Sequence, residues 1–335
     1  MKILITGASG FIGSFLVEKG IQLGYEMWAG VRSNSSRRYL TDKRINFIDL
    51  DFSSPDKLES QLVLLRDKYG CWDYIVHAAG VTKCIDKNDF STVNYEGTKN
   101  FVDALARTGT APKKFIYISS LSVFGPVREQ QPYTAIEESD TPMPDTLYGA
   151  SKLQAERYIT TKAKFPYIIL RPTGVYGPRE RDYFKMAAGI KKGIDFAVGY
   201  KPQTITFIYV KDLVKAVYLA IEKPIVNRCY FVSEPRGYDS RTFSDYIQAE
   251  LEVKRVLHIK APLWLLKIIS LCAERIAHFK GKPSTLNSDK YRIMKQRNWL
   301  CDVTPIEQEL GFTADYTLKE GTHETINWYK QEQWL

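Results

Sequence analysis

Tyr148 and Lys152 stand four residues apart in Tyr148-Gly149-Ala150-Ser151-Lys152, and an apolar run ahead of them, Phe115 to Ser120, ends in two serines. A helix brings positions i and i+4 to one face, so this spacing sets an ammonium beside a phenol. A free tyrosine titrates near pH ~10, and a neighbouring cation favours the phenolate. Such a phenol can donate and accept a proton around neutrality, as the reduction of a carbonyl or the oxidation of an alcohol requires. The chain also opens with Thr6-Gly7-Ala8-Ser9-Gly10-Phe11-Ile12-Gly13. Glycines at G-x-x-G-x-x-G spacing allow a tight turn and bring backbone amides close to a pyrophosphate at the start of the next helix. Phenol, ammonium and phosphate loop together describe a redox enzyme with a dinucleotide cofactor.

The elements that must position these groups can be read from the patterning. Ile3 to Thr6 has a buried-strand pattern, and Phe11 to Leu23 carries apolar residues at helical spacing until Gly24 stops it. Further strand-like runs lie at Met27 to Val31, Asn46 to Leu50, Tyr74 to Ala78, Phe115 to Ser119 and Tyr167 to Leu170, with helical stretches near 56–68, 95–108 and 149–163. This alternation predicts an α/β fold of the Rossmann type, a doubly wound parallel sheet covered on both faces. Residues 1–172 form the cofactor-binding domain in this reading, with segments such as 204–235 returning to it, and 173–335 form a smaller, mainly substrate-binding mixed α/β lobe. The polar, proline-containing stretch Gln130 to Asp145 is expected to be a loop bordering the active site.

At the end of the second strand an NAD site usually carries an acid for the ribose 2′-hydroxyl, and here the sequence reads Ala29-Gly30-Val31-Arg32-Ser33. Arg32, helped by Ser33 and Arg37, suits a 2′-phosphate, which favours NADP, with NAD as the other cofactor.

Composition bounds the remaining possibilities. The chain has 335 residues, 44% of them hydrophobic, enough for one large α/β unit with an added lobe. Its 47 basic and 38 acidic residues give a formal charge of +9. The excess is spread along the chain with no nucleic-acid motif, so no nucleic-acid partner is expected, and an anionic cofactor accounts for part of it. The five cysteines share no metal-ligand spacing, so no metal is expected, and they fit a reducing cytoplasm. The N-terminal apolar run is too short for a signal peptide. Pro262 to Phe279 is apolar, but Lys267, Glu274 and His278 make a polar stripe on it, and it is too short and charged to span a bilayer. It is expected to pack against the protein body, with a lid or an interfacial membrane contact as lesser readings.

The ordered set of motifs resembles the extended short-chain dehydrogenase/reductase family, also called the NAD-dependent epimerase/dehydratase family. The resemblance covers most of the chain. Besides the glycine loop and Tyr148 with Lys152, it includes Asp51-Phe52, His77-Ala78-Ala79-Gly80, Asn94, Ser119-Ser120, Arg171-Pro172-Thr173-Gly174-Val175-Tyr176-Gly177-Pro178 and Val210-Lys211-Asp212. It implies that Gly7, Ser9, Gly10, Phe11, Ile12, Gly13, Asp51, Phe52, Ala78, Ala79, Gly80 and Pro172 contact the cofactor. Lys152 would also hold the nicotinamide ribose, and Tyr148 would contact the cofactor. Ser120, five residues before Gly125, would bind the substrate oxygen, with Ser119 and Ser122 as alternatives. Asn94, Asp212 and His77 read as structural. The resemblance also implies a homodimer paired through the helices near 95–108 and 149–163.

Departures from the family's patterns narrow the activity. Leu121-Ser122 follows Ser120 where dehydratases carry an Asp-Glu pair, and Ile205 stands where nucleotide-sugar epimerases commonly hold a phosphate-binding arginine. The segment Gly177 to Phe184 and the helix from Pro262 look more like the dihydroflavonol 4-reductase and 3β-hydroxysteroid dehydrogenase branch. The expectation is therefore a reductase of an apolar ketone or aldehyde, with a pocket lined by that helix and by Phe124, Tyr176, Tyr183 and Phe184. A nucleotide-sugar epimerase is the alternative.

Overall fold

The computed structural model describes residues 1–279, 281, 284 and 286–335, apart from the side chain of His278. In chain order the first half contains β1 (Lys2–Thr6), α1 (Phe11–Gln22), β2 (Glu26–Gly30), β3 (Asn46–Ile48), α2 (Pro55–Tyr69), β4 (Tyr74–His77), α3 (Gly97–Arg107), β5 (Lys114–Ile118), α4 (Leu147–Lys162) and β6 (Tyr167–Pro172). A π-helical segment, Phe90–Glu96, leads into α3. The second half contains β7 (Gly174–Tyr176), α5 (Asp182–Lys191), β8 (Ile194–Val198), β9 (Thr204–Ile205), β10 (Phe207–Tyr209), α6 (Val210–Glu222), β11 (Arg228–Val232), β12 (Tyr238–Asp239), α7 (Thr242–Glu250), β13 (Leu257–Ala261), α8 (Leu263–Phe279), α9 (Ser288–Lys295), α10 (Thr304–Leu310) and α11 (Leu318–Gln331).

Strand alternation explains the layered core. Ile3, Ile5, Val76, Ile116 and Leu170 point to one face of the sheet and join α1 and α6, while Leu4, Ile75, Phe115, Tyr117 and Ile169 point to the other and join α2, α3 and α4. Both faces being covered, the strands are apolar on both sides, as a parallel sheet requires. The seven strands run in the order β11-β6-β5-β4-β1-β2-β3, and every pairing is parallel. The chain reverses its direction of winding between β1 and β4, so the crevice for a ligand lies at their carboxyl ends. α1 lies close to the sheet because Gly20 has no side chain: a Cβ there would come within 2.2 Å of the Met27 sulfur.

The segment 204–232 does send a strand back to the main sheet, since β11 pairs with β6. β9 and β10 are separated at Thr206, whose hydroxyl donates to the Trp299 carbonyl at 2.5 Å. β7 and β10, β9 and β12, and β8 and β13 form three small two-stranded sheets. Tyr176, Phe207, Tyr209, Tyr238, Phe243 and Tyr329 fill a separate aromatic core beneath them. α11 starts with a capping box: the Thr317 hydroxyl accepts from the Glu320 amide, and the Glu320 carboxylate accepts from the Thr317 amide.

The expectation for α8 needs correction. It packs on the body through a narrow face, with Leu266 and Ser270 buried, and turns most of its apolar side chains outward. Of the polar stripe, Lys267 is exposed and Glu274 pairs with Lys87 at 2.7 Å; the His278 side chain lies outside the described residues. Among the described residues no helix is long and apolar enough to cross a membrane.

Candidate active site

The glycine loop is shaped for close approach. Gly7 has φ +68°, and a Cβ on it would lie 2.8 Å from Ala78 and Ala79 backbone atoms; one on Gly13 would lie 2.2 Å from the Gly7 carbonyl oxygen. Only glycine fits either place. Gly10 is the N-cap of α1 and has no side chain to occupy the first amides of the helix, so Phe11, Ile12 and Gly13 present N–H groups and the positive end of the helix dipole. This cradle suits the pyrophosphate of a dinucleotide.

His77 ends β4 behind the loop. Thr98 donates to the Asn94 carbonyl at 2.7 Å, so it accepts from His77 Nε2 at 3.1 Å, and His77 Nδ1 accepts from the Thr6 hydroxyl at 2.8 Å. The Thr6 oxygen in turn accepts from the Ala79 amide at 3.3 Å. Burial, reinforced by the Lys152 charge, holds the imidazole down at about 3, so it is a neutral structural group. Asn94 is structural too: its amide exchanges hydrogen bonds with Val81 N and O at 2.8 and 3.0 Å and donates to Ser151 Oγ at 3.1 Å, tying the loop after β4 to α4. The Asp212 carboxylate accepts from the amides of Asp315 and Tyr316 at 3.0 and 3.1 Å.

Ser120, Tyr148 and Lys152 meet at the carboxyl end of the sheet, lining one cleft of about 460 Å³ with the glycine loop, Ala78, Gly80 and Pro172. Ser119 lines it as well, with a buried hydroxyl that has no partner among the described residues, whereas Ser122 lies behind and accepts from Ser120 at 3.1 Å. Burial pushes the Tyr148 phenol up to about 12, against the pull of a hydrogen bond with Ser120. Lys152 is not among the causes of this shift. Its ammonium donates to the Ile118 carbonyl at 2.8 Å and lies 4.6 Å from the centre of the Tyr117 ring. Burial brings it down to about 8, with the Glu156 charge working the other way.

Other expected residues fall outside the cleft lining. Ser9 and Ala79 belong to the loops behind it, and Asp51 binds Ser53 Oγ at 2.6 Å and Lys57 at 3.1 Å. Phe52 packs edge-on against His77 and Phe101. Arg32 is exposed beyond β2, and beside it the Ser33 amide donates to the Asp49 carboxylate at 3.1 Å. The loop 130–145 contributes no lining residue, because it is folded onto the C-terminal segment through the Ile136 and Leu300 backbones.

The expected apolar pocket does not form. Phe124 is fully buried against Phe231, Tyr176 belongs to the aromatic core, and Phe184 packs on Tyr329 and Trp334. Only Tyr183 of the four reaches the cleft.

The rest of the lining is mixed: Val81, Val175 and Ile293 stand among the polar residues Thr82, Lys83, Thr173, Glu180, Asp182 and, from the C-terminal part of the chain, Asn287, Asp289 and Lys290. Lys83 is in salt-bridge contact with Asp182, which Lys290 approaches to 3.7 Å. Asp289 accepts from the Tyr148 amide at 3.1 Å and so holds a negative charge at the start of α4, where Thr146 is the N-cap. Sequence reasoning missed these residues. Asn287-Ser288-Asp289 does read as a helix start, but nothing local links it to a tyrosine 141 positions away.

Comparison with known proteins agrees with this geometry. A sequence model of the NAD dependent epimerase/dehydratase family matches residues 3–230. The chain is 26% identical to the UDP-glucose 4-epimerase of Vibrio cholerae over 98% of its own length and 96% of that protein's. It is 22% identical to the ceramide reductase of Caulobacter vibrioides, covering 99% and 96% of the two chains. The crystal structure of UDP-glucuronic acid 4-epimerase from Bacillus cereus in complex with NAD superposes with a TM-score of 0.75, at 21% identity and over 99% of each chain.

Proposed function

Because the chain belongs to the NAD dependent epimerase/dehydratase family, whose members act on CH–OH groups with a nicotinamide cofactor, we propose that it inverts a hydroxyl-bearing carbon of a nucleotide-linked sugar. The observation that carries this reading is the set of polar groups in the cleft lining, Thr82, Lys83, Thr173, Asp182, Asn287 and Lys290, which share the cleft with Ser120 and Tyr148 and offer a sugar hydrogen-bond partners. The expectation of a reductase for apolar ketones is overturned. UDP-sugar epimerases recur among the relatives and structural neighbours, and the aromatic residues meant to line an apolar pocket are in the core.

Ser120, Tyr148 and Lys152 are the groups proposed to act. Tyr148 takes the proton of the sugar hydroxyl as it becomes a ketone and gives it back when the alcohol re-forms. Ser120 holds that oxygen, and the Lys152 ammonium is placed to hold the cofactor's ribose beside it. The nicotinamide ring supplies reversible hydride acceptance, so a sugar ketone that turns over in the cleft can be reduced from its other face.

We read the cofactor as NAD in place of the NADP first expected from Arg32. Asp49 follows β3 and accepts from the Ser33 amide just beyond β2, a place from which its carboxylate would accept from a ribose hydroxyl and repel a 2′-phosphate, and two of the solved neighbours are complexes with NAD. Pairing of two copies through α3 and α4 is proposed on the family resemblance.

The test is incubation with NAD and a panel of UDP-hexoses, UDP-N-acetylhexosamines and UDP-hexuronic acids, with products separated by chromatography. The expected outcome is an epimer without accumulating NADH. Stoichiometric nicotinamide turnover with a ketone or aldehyde, and no epimer from any sugar, would sink the reading.

A further inference from the structure

We propose that α8 and the small sheet beside it form a docking face for an anionic lipid surface. The inference is independent of the epimerase reading. The first observation is that α8 is turned inside out. On an ordinary surface helix the apolar stripe faces the core and the polar side faces water. Here Trp264, Leu265, Ile268, Ile269, Ile276 and Phe279 all point outward, Trp264 at 66% exposure and Phe279 at 89%. At 100° per residue these six fall within one arc of about 140°, with only Cys272 and Arg275 interrupting it.

The second observation is that the patch continues onto β8 and β13. Their parallel register sets Ile194 beside Leu257 and Phe196 beside Ile259 on one face, and all four are exposed, while Asp195 and His258 turn to the other face and pair at 3.1 Å. Ala261 ends β13 and Leu263 begins α8, so the sheet leads straight into the helix. Together with Tyr200 and Leu271 they supply 12 of the 21 exposed large hydrophobic side chains of the described residues. A soluble monomer seldom gathers so many in one place without a partner for them.

Charge then selects the partner. Within 191–201 and 254–279 the exposed charged side chains are Lys191, Lys192, Lys201, Lys254, Arg255, Lys260, Lys267 and Arg275, all basic. None of them forms a salt bridge among the described residues, and the acids of these stretches, Asp195 and Glu274, are engaged by His258 and Lys87. Aromatic and aliphatic side chains rimmed by unpaired cations match the boundary of an anionic bilayer, where the apolar groups enter the acyl region and the cations meet phosphates. A protein partner is less well matched, because an interface core excludes charge and a second copy would bring eight more cations against these. α8 also forms one wall of a crevice lined by Glu274, Ala277, Asn287 and Asp289, and the last two reach the cleft. The docked face is thus one helix away from the catalytic cleft.

The experiment is sedimentation of the full-length protein with vesicles of phosphatidylcholine alone or mixed with phosphatidylglycerol. Each basic residue near an anionic surface contributes a factor of about five to partitioning, so the mixed vesicles should bind at least about ten-fold tighter, and less so as salt rises. The double variant Trp264→Ser/Phe196→Ser should bind at least about ten-fold more weakly, Lys267→Glu/Arg275→Glu should lose the preference for anionic lipid, and Leu64→Ser on α2 should change neither. Unchanged circular dichroism in each variant excludes misfolding. Absence of binding to either vesicle overturns the proposal. So does light scattering that shows a lipid-free oligomer which Trp264→Ser dissociates, since the occupant would then be a second copy.

Discussion

At the scale of single residues, the helical step from Tyr148 to Lys152 brings the two side chains to one face of α4 but does not pair them. The phenol sits high because it is buried, and the ammonium is committed to the Ile118 carbonyl. Tyr148 therefore rests as the phenol, the form that returns a proton to the ketone, and taking one from the alcohol requires that it first be released to the phenolate. Tyr148→Phe is expected to lower kcat by about 10²–10⁴-fold while leaving NAD affinity nearly intact, read by turnover and by NAD titration. Lys152 gives a pH dependence. Burial lowers its pKa from 10.5 to about 8, so the folded protein releases this proton before the unfolded chain does. Between those values the unfolded chain binds more protons, and Lys152 makes stability rise with pH. Activity should run the other way, falling above about pH 8 as the ammonium is lost. In Lys152→Arg, whose charge persists, whatever activity remains should not fall there; a profile identical to that of the natural protein would remove Lys152 from the active set. Gly13→Ala should abolish NAD binding, because its methyl group would sit 2.2 Å from the Gly7 oxygen with backbone on both sides.

Among the elements, α4 decides whether the site exists, and it is held from two directions. On the sheet side Glu156 accepts from Arg171 Nε at 3.1 Å and Nη2 at 2.7 Å, both side chains nearly buried. Glu156→Gln would leave the Arg171 charge uncompensated inside the protein, at a cost of about 3 kcal/mol or more, measurable as a lower denaturation midpoint. On the other side Asp289 reaches the first turn. Asp289→Asn keeps the shape but removes charge from the helix start, so a loss of about 1 kcal/mol is expected, with a fall in kcat that Tyr148→Phe should mask. A full further decrease in the double variant would place Asp289 outside the tyrosine's path. The strands, the glycine loop and α4 were legible in the sequence because their signals are local: short apolar runs, glycine spacing, an i,i+4 step. The clamp was not, since Asp289 and Tyr148 are neighbours only after the second half of the chain folds back. The surface of α8 was misread for a related reason. Apolar periodicity marks a stripe without saying whether anything covers it.

For the molecule as a whole, the cleft is built from both ends of the sequence, and ligands should reveal that division. Gly7, Ile12 and Lys152 come from the first half, while Asn287, Lys290 and Ile293 close the opposite wall from α9 and the turn before it. A ligand that binds only the native state adds stability by mass action, about 2.7 kcal/mol at a hundred times its dissociation constant. If the cofactor is NAD, as proposed from the Asp49 carboxylate beside Ser33, NAD should raise the melting temperature more than an equal concentration of NADP. The protection should also divide in space. NAD alone should slow amide exchange around the glycine loop and the start of α1, and a UDP-sugar added to it should extend that protection to α9. Protection of α9 by NAD alone would mean that the polar groups around α9 belong to the cofactor, and the sugar would need another seat.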